Sequence, residues 1–122
     1  MLQANPYSDS PVKVSSIIGT NVFDPLGDDL GEISDIVIDF ASGKVIYAVV
    51  SYGGFLSMGR KLFAVPFEAL RYHNEQARYV LDVLKDQFAT ATGFDDDDWP
   101  VLGDEKWNRD IYAHYNRRPH WE

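Results

Sequence analysis

With 122 residues the chain suits one compact domain, and its 45% hydrophobic and 14% aromatic content excludes wholesale disorder. The absence of cysteine excludes disulfides, thiolate metal sites and cysteine nucleophiles together. Nineteen acids against eleven lysines and arginines give a formal charge of −8. Such a surface repels phosphate backbones and anionic lipid, so nucleic acid and membrane surfaces are poor expected partners.

Residues 1–14 carry Pro6 and Pro11 among small polar residues and are expected to form a flexible arm; Tyr7, Val12 and Val14 are its only docking candidates. They show no basic segment followed by an apolar one, so no secretory signal is expected, and no apolar run reaches membrane-spanning length. The expectation is a cytoplasmic protein without membrane insertion.

Residues 15–84 read as the barrel domain. Ser15-Ser16 opens a short turn and a first strand follows around Thr20–Phe23, stopped by Pro25, which has no N–H for a ladder. Asp24-Pro-Leu-Gly-Asp-Asp-Leu-Gly is a long hairpin connection. In the second strand Ser34, Ile36, Ile38 and Phe40 share one face, and Asp35, Val37 and Asp39 the other. Asp39 and Gly43 bracket a short hairpin loop, Phe-Ala-Ser. The third strand, Val45–Tyr52, is apolar on both faces and so belongs in the middle of a covered sheet.

Lys61–Val65, closed by Pro66, is the fourth strand. Arg71–His73 and Arg78–Val83 flank Asn-Glu-Gln-Ala as a last hairpin, with PFEAL as one helical turn before it. Five to six short strands predict a mainly β chain built as a small barrel, because closure removes the edges that an open sheet exposes.

Residues 85–122 change in composition. KDQFATATG predicts a short helix, and Asp95–Asp98 an acidic loop. A last helix is capped by Asp104, with Glu105 in its first turn and Arg117 and Arg118 near its end. Trp107, Ile111 and Tyr115 form its apolar stripe, which packs on the chain's own barrel or on a second subunit.

No catalytic constellation emerges. Gly54-Phe-Leu-Ser-Met-Gly59-Arg60-Lys61 falls short of a phosphate-binding loop: arginine follows the second glycine, no Ser/Thr comes next, and a strand follows where a helix is needed. Its Phe55, Leu56 and Met58 are instead an apolar contact surface in a loop. The Asp24 loop misses the calcium-binding pattern at Leu26 and in its glycine position. His73, His114 and His120 lack metal-ligand spacing, and Ser51 and Ser57 lack a nucleophile-elbow context. No cofactor and no metal are expected, and the reading is not an enzyme.

Together Ile18-Gly19 with Val22-Phe23, Gly31-Glu-Ile33, Asp35 with Ile36–Asp39, Gly43-Lys-Val45, Tyr47-Ala-Val49, Gly53-Gly54-Phe with Gly59 and Lys61, and Val65-Pro66-Phe67 with Leu70 resemble a PRC-barrel domain over about Ser15–Val83. The resemblance implies a small, strongly bent β-barrel that serves protein interaction, as in the cytoplasmic part of the photosynthetic reaction-centre H subunit and the carboxy-terminal domain of a ribosome maturation factor. The chain shows neither an H-subunit-like transmembrane helix nor a basic surface for a ribosomal role. The segment GFDDDDWPVLGDEKWNRDIYAHY resembles the tail of some stand-alone bacterial members.

The leading expectation is therefore an adaptor that binds another protein or itself as a homodimer, through Phe55, Leu56 and Met58 or the last helix. Two alternatives stay open: a regulatory domain binding a small ligand or a divalent metal through Asp28, Asp29 or Asp95–Asp98, and a ribosome- or RNA-associated factor.

Overall fold

The computed structural model describes residues 5–53 and 60–122. A short helix α1 (Val14–Ile17) leads into strands β1 (Asn21–Phe23), β2 (Asp29–Asp39), β3 (Lys44–Gly53), β4 (Arg60–Pro66), β5 (Leu70–His73) and β6 (Arg78–Leu81). Helices α2 (Lys85–Ala89) and α3 (Glu105–His114) follow. The six strands form one sheet in the order β4-β3-β2-β1-β6-β5. All neighbours are antiparallel except β1 and β6, which run parallel with Val22 opposite Tyr79.

The connectivity itself forces the sheet to curl. Laid flat, six strands would hold the outer two about 24 Å apart at the usual interstrand spacing. Yet those outer strands, β4 and β5, are joined only by the 3-10 turn Phe67–Ala69, which fully extended reaches about 14 Å. Curling is helped by irregular register between Val22 and Phe23, Ile33 and Asp35, and Val37 and Ile38. It also needs Gly31, where β2 has φ +105° and an added Cβ would lie 2.1 Å from the Ser51 carbonyl oxygen.

The result is a curled half-barrel of six strands with a helical extension, the mainly β, small-barrel architecture that the strand pattern predicts. Among the described residues β4 and β5 do not pair. Each edge is covered separately. On β5 the arm docks: Tyr7 bridges His73, the Ser8 amide donates to the Tyr72 carbonyl (2.9 Å) and the Asn74 amide to the Pro6 carbonyl (2.9 Å). On β4, Leu62 and Phe94 exchange two backbone hydrogen bonds of 2.8 and 2.9 Å. The arm is thus held at Tyr7.

Both sheet faces are buried, as the apolar character of β3 demanded. The inner cluster gathers Val22, Leu30, Ile33, Ala48, Val50, Phe63, Val65, Leu81 and Phe88. Phe88 of α2 is fully buried there, its ring 4.8 Å from Phe63 and 5.5 Å from Tyr52. The outer cluster gathers Ile46, Tyr47, Val49, Leu62, Ala64, Phe94 and Tyr112, so α3 and the Phe94 segment form a second layer on the sheet. No described helix is long and apolar enough to cross a membrane.

Candidate interaction surface

Two buried polar side chains hold the periphery to this frame. Asp24, only 2% exposed, ends β1. Its carboxylate accepts from the Leu26 amide (2.9 Å), the Asp28 amide (2.8 Å) and, across the fold, the Lys85 amide at the start of α2 (3.0 Å). Burial pushes this carboxyl up, but the amides of Asp28, Lys85, Leu26 and Gly27 together hold it below the usual aspartate value. The second is Asn108 of α3. It accepts from the Tyr47 hydroxyl and donates to the Leu102 (2.9 Å) and Asp104 (2.8 Å) carbonyls. Burial raises the Tyr47 phenol far above its ordinary value and lifts Tyr112 to about 12, so both stay protonated at neutral pH. Asp24 and Asn108 thus act as structural clasps.

The predicted stripe on the last helix is committed to the chain's own core. Asp104 caps α3 as expected, accepting from the Trp107 amide at 3.1 Å. Trp107 meets Tyr47 edge to face at 5.6 Å, and Ile111 touches both clusters. Tyr115, one residue past the helix, is buried in the inner cluster. Of the two packings weighed for this stripe, the intramolecular one is seen. Phe55, Leu56, Ser57 and Met58 lie outside the described residues.

The histidines stand apart from one another. His73 meets Tyr7 edge to face, His114 contacts the Gln87 carbonyl (2.7 Å), and the His120 Nδ1 lies 3.1 Å from the Tyr112 hydroxyl. Asp95 and Asp98 close a tight turn, and Asp96 accepts from the Trp99 indole at 3.3 Å. Among the described residues no three histidine, aspartate or glutamate side chains gather as a metal would require.

What the structure does offer is an apolar patch that sequence reading passed over. The β2–β3 turn is tied from within: the Asp39 carboxylate accepts from the Ser42 hydroxyl (2.6 Å) and amide (3.3 Å), and the Gly43 amide donates to the Asp39 carbonyl (2.7 Å) with Gly43 at φ +75°. The Ser42 hydroxyl, ahead of the smaller opposing cost of burial, holds the Asp39 carboxyl below its usual range. This rigid turn holds Phe40 99% exposed, beside Ile38 at 51%.

A groove of about 450 Å³ opens next to it, walled by Ile38, Phe40, Ile46, Leu102, Asn108 and Trp121. Leu102 and Trp121 are themselves 38% and 41% exposed. The carboxy-terminal segment closes one side. It doubles back after Asn116 (φ +56°) and is fixed by Arg109, which pairs with Glu122 at 3.0 Å and lies over the Trp121 ring. Strand β2, the β2–β3 turn, the segment before α3 and the carboxy-terminal segment thus bring together Ile38, Phe40, Leu102 and Trp121, large apolar side chains that face solvent. A phenylalanine within the short loop bracketed by Asp39 and Gly43 was the available signal in the sequence.

A model of the PRC-barrel domain family matches residues 11–88, more than half of the chain. No curated protein matches it. The match ends within two residues of α2's end, so Phe94, Trp107, Asn108 and Tyr112, which build and clasp the outer layer, lie beyond it.

Proposed function

From the premise that the chain belongs to the PRC-barrel family, we propose that it is a non-enzymatic protein-interaction module. Its partner is another protein or a second copy of itself, and the contact centres on Phe40. The supporting observation is the rigid presentation of Phe40 beside Ile38, Leu102 and Trp121 at the groove mouth. Burying one such phenylalanine and its neighbours contributes about 2–3 kcal/mol per large side chain, the scale of an interface anchor. Phe55, Leu56 and Met58 belong to the same proposal as a second apolar contact. A formal charge of −8 disfavours RNA as the partner.

The test replaces Ile38 and Phe40 together by serine. Both side chains are half or more exposed, so far-UV circular dichroism and the melting temperature stay at wild-type values. Association, read by sedimentation for self-contact and by co-purification for a foreign partner, is lost. Association equal to the wild type in both assays refutes the assignment.

A further inference from the structure

We propose that the groove beside Phe40 takes a segment of a foreign partner protein in which a large apolar side chain is flanked by lysine or arginine, in preference to a second copy of this chain. The proposal rests on the Phe40 assignment above and names the chemistry of what that surface meets.

The groove is apolar in its walls and acidic at its rim. Its charged side chains are Asp39 and Glu105, and among the described residues no lysine or arginine lines it. Asp39 sits next to Phe40, and the Ser42 hydroxyl donating to it at 2.6 Å favours its charged form. Glu105 opens α3 beside the capping Asp104, and Glu122 follows Trp121. The guanidinium that meets this set is Arg109, divided between Glu105 (2.9 Å) and Glu122 (3.0 Å). Lys44 stands opposite Asp39 in the β2–β3 ladder, yet the two form no ion pair. Lys44 and Arg118 instead line the adjoining cavity, where Glu68 and Glu122 match their charge.

An interface of this kind has an apolar centre and a polar rim. An apolar anchor entering the groove meets Ile38, Phe40, Leu102 and Trp121, and cations beside it meet carboxylates that the chain leaves under-neutralised. Rim charges steer the encounter and select among partners more than they add affinity. An isologous pair of this chain would set the same rim against itself, carboxylate facing carboxylate, in chains that each carry −8. Anionic lipid and nucleic acid meet the same repulsion. A basic segment of another protein satisfies both the walls and the rim.

Titration of the full chain with blocked synthetic peptides, followed by amide chemical shifts, tests this. A peptide with Leu-Phe between paired lysines gives saturable shifts centred on Ile38, Phe40, Leu102 and Trp121. Its counterpart with glutamates in place of the lysines, and one with Gly-Gly in place of Leu-Phe, bind far more weakly. Affinity for the lysine peptide falls as sodium chloride rises from about 50 to about 300 mM, because exposed charges are screened. Asp39→Asn and Glu105→Gln each weaken it about two- to fivefold, the scale of an exposed ion pair, while Glu75→Gln in the distant β5–β6 turn leaves it unchanged. Asparagine keeps an acceptor for the Ser42 tie and Glu105 is exposed, so these variants retain the fold. Equal binding of the glutamate peptide at the same amides, or wild-type affinity in both acid variants, overturns the proposal and leaves the Phe40 assignment standing. Shifts that miss these amides, or no saturable shifts, also overturn it; the Phe40 assignment then falls only if the Ile38 and Phe40 serine variant associates like the wild type.

Discussion

Removing the Asp24 carboxylate strips three backbone amides of their acceptor, and the cost follows from where those amides sit. Leu26 and Asp28 lie in an exposed loop, so water replaces much of what they lose. The Lys85 amide belongs to the first turn of α2, which seats Phe88 in the inner core. Hydrogen bonds to charged groups contribute about 1.5–3 kcal/mol each, less where water substitutes. Asp24→Ala is therefore expected to lose about 2–4 kcal/mol, and Asp24→Asn, which keeps one acceptor oxygen, about half of that. Urea denaturation at neutral pH measures both.

The pH dependence carries a fixed sign. The folded carboxyl titrates below its ordinary value of 3.8, so its contribution is complete above that value and is lost as the pH falls through the folded pKa. The gap between wild type and Asp24→Ala should be constant from neutral pH down to about 5 and shrink only below about 4. A variant within about 0.5 kcal/mol of wild type, or a gap that stays the same on acidification, refutes the clasp.

Three further outcomes are expected. Asn108→Ala takes the acceptor from the buried Tyr47 hydroxyl and the side-chain donor from the part-buried Leu102 and Asp104 carbonyls, and should destabilise by about 2–3 kcal/mol in the same denaturation assay. Gly31→Ala drives a Cβ into the Ser51 carbonyl oxygen, and thermal unfolding should show a loss of about 3 kcal/mol or more, or no folded product. Truncation after Thr92 removes Phe94 and α3 from the outer sheet face, exposing Tyr47, Val49, Leu62 and Ala64; the shortened chain should bind a hydrophobic dye strongly, whereas the full chain does not.

The strands were legible because period-2 alternation and Pro or Gly punctuation are local signals. Asp39 through Gly43 announced the hairpin, and Asp104 with Glu105 announced α3. The two-faced apolar run of β3 foretold a layer on each side, though not that residues from Phe94 onward supply the outer one. What was hidden depends on contacts distant in sequence. Nothing near Asp24 announces the Lys85 amide 61 residues away, and nothing near Asn108 announces Tyr47, another 61-residue separation. The segments that cover the outer strands were hidden as well, because the bridge of Tyr7 to His73 and that of Phe94 to Leu62 join segments with no strand pattern. Phe40 reads both as the end of a strand face and as the first residue of the hairpin loop between Asp39 and Gly43; it lies in the turn, with its side chain exposed.

The interaction assignment is tested most directly by placing a photo-crosslinking phenylalanine, p-benzoylphenylalanine, at position 40 and at the exposed control position 75 in cells of the source organism. A discrete protein adduct at position 40, to a second copy or to another protein, and none at position 75 is the expected result. Equal labelling at the two positions, or no adduct at position 40, would contradict the account.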